Sequence, residues 1–324
     1  MRFRKQSNGK QIKWEKYMVY IIFVAVFVLF SITLRNNGFL GVNNLLNILR
    51  QTAMISVMAV GGTFVMAAGQ IDLTVGAVAA MSAMIVSLII QSTNSILLAI
   101  GVAILFGCLV GVINGALVTK FKLPAFLATL GMMQIIRGGA MWITNTEAIP
   151  IDNQIYNNVF GIGMIGPIPV LILWTILFYI IGYYAFNKAK FGRYVLATGG
   201  NEKSARYSGI DINKVKIKAF AISGALSAFA GIMYSGRLQA GRYSYGTGDE
   251  MSVIAAVVLG GTSMSGGTGS VVGALVGSIL IGMINNALIL AGLRTAQQTI
   301  IKGAIIIITV ALSNVLQSRN EIKN

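Results

Sequence analysis

The chain has 324 residues, of which 56% are hydrophobic and 10% are charged, and it contains no histidine. A soluble domain carries about 25% charged residues, so this composition excludes a chain that faces water over most of its surface. The net charge of +16 would indicate nucleic-acid binding in a soluble protein. In a membrane protein, positive residues instead collect in the loops on one side and orient the chain, so we expect no nucleic-acid partner.

Hydrophobic runs long enough to cross a bilayer, about 20 residues each, recur along the whole chain. The first run follows a basic N-terminus, but it is too long for a signal peptide and lacks a cleavage site, so we predict an uncleaved helix. We therefore predict an all-α polytopic membrane protein that forms a single transmembrane domain over residues 1–324, with about ten spanning helices. The predicted helices lie near residues 17–34, 51–69, 73–91, 96–118, 124–143, 167–187, 219–238, 251–263, 270–290 and 296–316.

The Lys and Arg residues are distributed unevenly over the segments between these runs. No Lys or Arg occurs in residues 138–187, which include the loop 144–166. If the N-terminus is cytoplasmic, the cytoplasmic segments hold 18 of the 25 Lys and Arg residues. Residues 1–16 hold 6, residues 119–123 hold 2, residues 188–218 hold 8 and residues 317–324 hold 2. Because positive loops stay in the cytoplasm, we predict that both termini and the loop 188–218 are cytoplasmic and that the loop 144–166 is extracytoplasmic.

The hydrophobic run 251–263 is short, and it is followed by the Gly-rich sequence GGTSMSGGTGS at 260–270. It forms either a complete span or a half-helix that breaks inside the membrane, where irregular backbone is tolerated only if it is buried in protein or lines a cavity. A re-entrant form would reduce the number of spans to nine and move the C-terminus outside.

The sequence NNLLNILR at 43–50 places Asn43, Asn47 and Arg50 on one helical face and leucines on the other. Such a segment either lies in the membrane interface or forms the ordinary beginning of the second helix.

Several classes of site are excluded by the residues that the chain lacks. It contains no GxxxxGK[ST] motif, and the Gly-rich residues 260–270 include no Lys, so no nucleoside triphosphate site is expected. With no His and a single cysteine, Cys108, the chain offers no disulfide, no metal site and no His-based nucleophile. We therefore predict that the chain is not an enzyme and holds no metal or cofactor of its own.

Three charged residues lie at membrane depth in the predicted helices or between them: Arg137, Lys302 and Asp72. A charge at a helix centre costs about 2.5 to 3.5 kcal/mol, which makes each a functional candidate. Alternatively, Arg137 and Lys302 extend toward the membrane surface, and Asp72, in GQIDLTVG at 69–76, caps the following helix. Ion-coupled carriers usually place ionisable groups at mid-membrane, so their scarcity argues against such a carrier.

Uncharged polar residues in the helices could hydrogen-bond a hydroxylated solute, although bonds between helices are their commoner use. The candidates for a translocation path are Gln70, Asp72, Asn114, Asn285, Asn286 and Arg137.

The sequence GGNEKSARYSGIDINKVKIK at 199–218 predicts a short helix over residues 202–208. Asn201 is a good N-cap, Glu202 lies at the positive end of the helix, and Gly209 can adopt the left-handed conformation that ends it. Such a helix is too short to be stable alone in water. It is therefore either a docking element for a cytosolic partner or packed against its own protein.

Four long stretches, AAGQIDLTVGAVAAMSA, LPAFLATLGMMQIIRGGAMWIT, FGRYVLATGGNEKSARYSGIDINKVKIKAF and SVIAAVVLGGTSMSGGTGSVVGALVGSILIGMINNAL, carry a further signal. In this order they resemble the signature regions of sugar-type ABC importer permeases, the group that includes the bacterial ribose permease subunit. The resemblance covers about residues 38–316, and the third stretch corresponds to the cytoplasmic coupling loop of that family, here 188–218.

The resemblance implies a multi-pass permease subunit of the bacterial cytoplasmic (inner) membrane, paired with a second permease subunit that is identical or homologous. Two cytosolic ABC ATPase subunits would bind ATP and Mg²⁺, and an extracytoplasmic sugar-binding protein would face residues 144–166 and 239–250. The family's coupling helix sits in a groove of the ATPase. The corresponding residues here are Asn201, Glu202, Ala205, Ser208 and Gly209.

The sequence departs from the general importer motif Glu-Ala-Ala, because Lys203 and Ser204 follow Glu202. Relatives of this kind transport ribose, other pentoses, hexoses, inositol, nucleosides or signalling furanoses, and the sequence does not select among these solutes. The alternatives to an importer permease are a self-contained secondary carrier for a small polar solute and an export or channel subunit.

Overall fold

The computed structural model describes residues 15–301, 303–305 and 307, and nearly all its regular structure is helical. Helical backbone also covers residues 295–301, 303–305 and 307. The helices are α1 (Glu15–Thr33), α2 (Val42–Ala67), α3 (Val75–Thr93), α4 (Ile96–Thr119), α5 (Ala125–Thr144), α6 (Gln154–Asn157), α7 (Val170–Tyr183), α8 (Lys190–Gly200), α9 (Glu202–Tyr207), α10 (Ile212–Leu238), α11 (Asp249–Leu259) and α12 (Val271–Leu290).

The remaining regular elements are short. A 3-10 turn covers Arg35–Asn37, and π-helical turns cover Asn158–Ile162 and Tyr184–Lys188. Two pairs of two-residue strands are antiparallel, β1 with β4 and β2 with β3. The four strands are β1 (Ile149–Pro150), β2 (Met164–Ile165), β3 (Ile168–Pro169) and β4 (Ala240–Gly241).

Seven of the described helices are long and apolar enough to cross a membrane: α2, α3, α4, α5, α7 with its π-helical extension, α10 and α12. The predicted all-α, multi-pass architecture is therefore confirmed. The chain termini, Lys302 and most of the predicted span 296–316 lie outside the described residues. The number of ten spans and the cytoplasmic termini thus stay predictions.

Two helices are longer than the hydrophobic runs predict. α2 begins at Val42, so the segment 43–50 is the first part of the second helix rather than a separate interfacial element. α10 begins at Ile212, seven residues before the predicted start, because Asp211 caps it by accepting a 3.1 Å hydrogen bond from the Lys214 amide.

Helix α10 lies at the centre of the bundle and packs against α2, α3 and α4. Its closest neighbour is α4, where glycines bring the two backbones together. A Cβ atom on Gly111 would lie 2.2 Å from the Phe220 carbonyl oxygen, and one on Gly107 would lie 2.3 Å from that of Gly224. Small residues that let backbones approach are a usual basis of helix association in membranes.

We name the two ends of the bundle the α9 end and the β1 end, each after an element that lies there. At the α9 end, α2 and α8 finish side by side, and the Gly267 amide donates to the Ala67 carbonyl at 3.0 Å. At the β1 end, β1 pairs with β4, and Gly241 lies against Ser87 near the end of α3. The predicted loop 144–166 lies at the β1 end and folds back onto α10, where the buried Tyr156 hydroxyl donates to the Ile232 carbonyl at 2.9 Å.

The chain between β4 and the Gly-rich residues 260–270 crosses from the β1 end to the α9 end through an irregular segment and a short helix. Turns occupy 242–248, with Gly246 in contact with Gly76, and α11 then runs to residue 259. Irregular backbone therefore lies on both sides of the short helix, at 242–248 before it and at 260–270 after it. Only the second of these was predicted from the sequence. The two ends of the crossing lie at opposite ends of the bundle, so the segment is not re-entrant.

Replacing Gly111 by Ala tests the contact between α4 and α10. A methyl group 2.2 Å from a carbonyl oxygen forces the helices apart, and such overpacking costs about 1 to 3 kcal/mol. We expect a lower thermal midpoint in detergent, measured by size-exclusion chromatography of heated samples.

The control is Gly101→Ala in the same helix, where a Cβ meets nothing within 4 Å. Alanine is favoured over glycine in a helix by about 0.5 to 1 kcal/mol, so this variant should be at least as stable as the parent. Equal midpoints for both variants would contradict the close contact.

Candidate functional site

Asp72 lies in the non-helical stretch between α2 and α3 and is 6% exposed. Its Oδ1 atom accepts hydrogen bonds from the Thr74 amide at 2.9 Å and from the Thr74 hydroxyl at 2.5 Å. Its Oδ2 atom accepts a bond of 2.8 Å from the Ser223 hydroxyl on α10. Because Ser223 packs against Gly61, six residues before the end of α2, Asp72 lies inside the bundle and not at its end.

Hydrogen bonds connect the non-helical stretch between α2 and α3 to two other helices. The bond from Ser223 adds α10. Asn114 of α4 donates from Nδ2 to the Thr74 hydroxyl at 3.2 Å, which adds α4 to the network. Both carboxylate oxygens of Asp72 are thus bonded within the chain. The carboxylate bonds Thr74, the residue before α3, and not an amide inside the first turn of that helix. The capping role of Asp72 and its role in a translocation path both stay predictions.

Three other polar candidates form no hydrogen bond to the Asp72 network among the described residues. Asn286 and Asn44 exchange two amide hydrogen bonds of 2.9 and 3.1 Å between α12 and α2. Within the part of the chain that the structure describes, the buried Oδ1 of Asn285 has no hydrogen-bond partner. Gln70 donates to the carbonyl of Gly69 at 2.8 Å. The six predicted path residues therefore do not share one hydrogen-bond network, and their role in a path stays a prediction.

Arg137 of α5 binds the irregular segment 242–248. Its Nη1 atom donates to the carbonyl oxygens of Tyr243 at 2.8 Å and Tyr245 at 3.4 Å, and to the Thr247 hydroxyl at 2.8 Å. Turns cannot satisfy their own carbonyls as a helix does. The guanidinium therefore supplies donors to a broken span.

The sequence analysis missed a cluster of polar side chains where α11 meets α10. The Tyr234 hydroxyl donates to the Asp249 carboxylate at 2.5 Å, and the Tyr234 and Tyr245 rings stack with centroids 5.6 Å apart. The signal in the sequence was the acidic pair directly before the apolar run of α11.

No group of three or more His, Cys, Asp or Glu residues that could hold a metal ion occurs in the described ranges.

The short helix predicted at residues 202–208 is present as α9, Glu202–Tyr207. Asn201 caps it by accepting a 3.0 Å hydrogen bond from the Ser204 amide, and Gly209, with φ of +81°, ends it. Ala205 is buried against the protein. The exposed members of the predicted coupling set are Asn201, Glu202, Ser208 and Gly209.

Helix α9 is tied to α10 by an ion pair between Glu202 and Lys216. The Lys216 side chain is 11% exposed and that of Glu202 is 49% exposed, so the pair lies at the edge of the protein. Tyr207, on the outer surface of α9, is 92% exposed. The helix therefore packs against its own protein on one side and has an exposed face on the other. Its role as a docking element stays a prediction.

The first turn of α10, beside α9, is held by Asp211. The Lys214 amide and side chain both donate to the Asp211 carboxylate, and these bonds hold the pKa of Asp211 below its ordinary value. The cap is therefore ionised at neutral pH and stabilises the positive end of α10.

The chain is similar to a known protein family and to several individual permease proteins. The profile of the family described as branched-chain amino acid transport system / permease component matches residues 44–310. The chain is 40% identical to the ribose import permease protein RbsC of Haemophilus influenzae over 301 residues, which are 92% of this chain and 93% of the relative. It is 40% identical to RbsC of Bacillus subtilis over 312 residues, which are 95% and 96% of the two chains.

A relative with a different substrate also matches. The chain is 32% identical to the L-arabinose ABC transporter permease protein AraH of Azospirillum brasilense over 292 residues, which are 90% of this chain and 85% of the relative. No solved structure matches the chain significantly.

Replacing Arg137 by Gln tests whether the guanidinium holds the segment 242–248. The carbonyls of Tyr243 and Tyr245 lose their donor, and an unsatisfied buried group costs about 1 to 3 kcal/mol. We expect a lower thermal midpoint in detergent, partly restored by Arg137→Lys, which keeps a charged donor. The exposed Arg242 provides the control variant, Arg242→Gln, which should leave the midpoint unchanged. A midpoint of Arg137→Gln equal to that of the control would show that the segment does not depend on Arg137.

Proposed function

The chain belongs to the branched-chain amino acid transport system / permease component family, and on that premise we propose that it is the transmembrane permease subunit of an ATP-driven importer of ribose or a related monosaccharide. The observation that carries the proposal is the 40% identity to ribose import permeases from two bacteria over more than nine-tenths of the chain. The resemblance noted in the sequence is confirmed by these matches. The chain is a multi-pass transport subunit and not a catalyst.

We propose that the chain lies in the bacterial cytoplasmic membrane with the α9 end in the cytoplasm. The loop 188–218, which forms much of the α9 end, carries eight Lys and Arg, whereas residues 138–187 carry none. Positive loops are retained in the cytoplasm, so the β1 end faces outward. Among the described residues of the β1 end, a groove of about 510 Å³ lies between the end of α3 and residues 150–155. Under the proposal, this end receives the sugar-binding protein.

The proposed partners follow from the family and from the shape of the α9 end. One of the two ABC ATPase subunits, with ATP and Mg²⁺, would dock on the free face of α9, where Tyr207 is 92% exposed. A second permease subunit, identical or homologous, would complete the translocation path. Lipid would cover the remaining apolar faces, since α4, α5 and α7 expose most of their residues.

Glu202 gives the docking helix a direct connection to the membrane helices. When α9 moves, the ion pair to Lys216 carries the movement into α10, whose Ser223 is bonded to Asp72 at the α2–α3 break. The path from the cytoplasm to the middle of the bundle thus runs along one rigid helix. In this proposal Asp72 transmits movement and does not need to contact the sugar.

The two irregular stretches, 68–74 and 242–248, provide places where the path can open. The second stretch contacts the first turn of α3, directly after the first stretch, because a Cβ atom on Gly76 would lie 2.1 Å from the Gly246 carbonyl oxygen. Transporters commonly build solute paths at discontinuous helices, where backbone groups are available to bond a polar solute. We propose that alternating access moves α11 and the start of α3 relative to each other at this contact.

A second candidate substrate is another pentose, which the similarity to the L-arabinose permease favours. A nucleoside and a signalling furanose are further candidate substrates, but no contact among the described residues favours either. A secondary carrier is disfavoured because the described spans contain few ionisable residues.

The proposal is tested by reconstituting the chain with the ATPase and sugar-binding protein of its own cell and measuring uptake of labelled ribose into vesicles. We expect uptake only with ATP and the binding protein, and competition by unlabelled arabinose or allose would rank the substrates. Replacing the ATPase by a variant unable to hydrolyse ATP is the control. Uptake by the chain alone under an ion gradient would establish the secondary carrier instead.

Removing the Glu202–Lys216 ion pair tests the connection between α9 and α10. Glu202→Gln leaves the Lys216 ammonium buried without its anion, at a cost of about 1 to 3 kcal/mol, so we expect uptake to fall at least about fivefold. The double variant Glu202→Gln, Lys216→Met removes the unpaired charge and should transport better than Glu202→Gln alone.

The control is Lys214→Met, which removes the exposed ion pair to Asp211 at the same end of the protein and should leave uptake unchanged. Uptake that is equal in Glu202→Gln and in the parent would show that the ion pair does not carry the coupling.

A further inference from the structure

Three chain segments from different parts of the sequence meet beside α9, and each contributes glycine. They are the end of α2 (67–69), the end of α8 (199–200) and the loop before α12 (265–267). The Gly267 amide donates to the Ala67 carbonyl at 3.0 Å. We name this contact the glycine junction.

Backbone atoms fill the glycine junction so closely that no side chain fits at Gly199. A Cβ atom there would lie 2.0 Å from the Ala67 carbonyl oxygen and 2.6 Å from the Gly267 nitrogen. A Cβ atom on Gly266 would lie 2.8 Å from both the Gly199 Cα and the Gly69 nitrogen. The three backbones are therefore in direct contact, with no flexible side chain between them to absorb a displacement.

The glycine junction lies directly next to the coupling helix. Gly200 is the last residue of α8, and only Asn201 separates it from α9. The Asn201 amide donates to the Ala197 carbonyl at 3.1 Å, so α8 continues into the cap of α9 without a loose linker. Any displacement of α9 must therefore move Gly199.

The other two segments of the junction lead to the breaks in the membrane helices. The stretch that begins at Ala68 reaches Asp72 four residues later, and the loop with Gly267 joins α11 to α12. The irregular stretch 68–74 thus begins at the junction itself. The stretch 242–248 is separated from the junction by the short helix α11 and the loop that follows it. The ion pair of Glu202 reaches only α10.

We propose that Gly199 is a positioning residue through which movement of α9 reaches α2 and the α11–α12 loop, in parallel with the connection through Glu202. The proposal rests on the proposed function, because it requires an ATPase that moves α9. A glycine is needed at position 199, since a methyl group would separate the three backbones and interrupt the transmission. The neighbouring Gly200 has no such restriction, because its Cβ would make only an ordinary contact of 3.6 Å with the Gly267 Cα.

The test compares Gly199→Ala with Gly200→Ala in the complete complex of permease, ATPase and binding protein. Both variants place alanine in the last turn of α8, so their effects on helix propensity are matched. We expect Gly199→Ala to retain the ATPase subunit and basal ATP hydrolysis while sugar uptake per ATP falls at least about tenfold. Gly200→Ala should behave as the parent does. Equal uptake per ATP in the two variants would overturn the proposal.

A second pair of variants examines the loop side of the junction. Gly266 and Gly261 both have left-handed backbone, with φ of +85° and +87°, so alanine strains both equally. Only Gly266 is crowded, since a Cβ on Gly261 meets nothing within 4 Å. Gly266→Ala should lower uptake per ATP well below the level of Gly261→Ala, and equal values would count against the proposal.

Hydrogen exchange on the unmodified complex provides a measurement that does not depend on any variant folding. When the ATPase binds nucleotide, we expect the exchange rate of the Gly267 amide to change together with those of the α9 amides. A change in α9 with no change at Gly267 would overturn the proposal. If the parent complex requires ATP for transport and Gly199→Ala transports equally well, the junction proposal is refuted and the proposed function stands. If the parent chain transports without an ATPase, both are refuted.

Discussion

The close contact between α10 and α4 is the constraint on which the other features depend. Glycines at the contact bring the backbones together, and α10 then lies at the centre of the bundle, against α2 and α3 as well. From this position α10 reaches every part of the proposed mechanism. Lys216 at its first turns holds α9, Ser223 holds Asp72, and Tyr234 near its far end holds Asp249 of α11. A bundle held by apolar side chains alone would leave these polar groups without fixed partners.

Two breaks in the spans explain where the charged residues of the membrane region are used. Irregular backbone inside a bilayer needs donors and acceptors from the protein itself. Asp72 accepts from the amide at the start of α3, and Arg137 donates to the carbonyls of the segment before α11. Each charge therefore stabilises a discontinuity that a solute path could use. The same residues would be hard to explain in a protein whose helices were all continuous.

Local features were predictable from the sequence, and long-range pairings were not. The cap at Asn201 and the left-handed Gly209 follow from the residue types at fixed spacing, so α9 was predicted to within one residue. The hydrophobic runs similarly gave the described spanning helices. The partners of Arg137 lie more than 100 residues away in sequence, and the turns at 242–248 resemble an ordinary loop, so neither could be derived from pattern alone. Asn114 and Asn286 were grouped because both are uncharged polar residues in apolar helices, but the fold places them in separate networks.

The central claim is that energy for transport enters this chain from an ATPase docked on α9. The most direct measurement is to purify the tagged chain from its own cell in mild detergent and to identify the proteins that accompany it. The parent is compared with a variant in which a Gly-Ser linker replaces residues 202–208. The account predicts an ABC ATPase that copurifies with the parent and is lost from the variant, while the variant stays monodisperse. Isolation of the parent without any ATPase, together with solute transport by that purified chain in vesicles under an ion gradient, would contradict it.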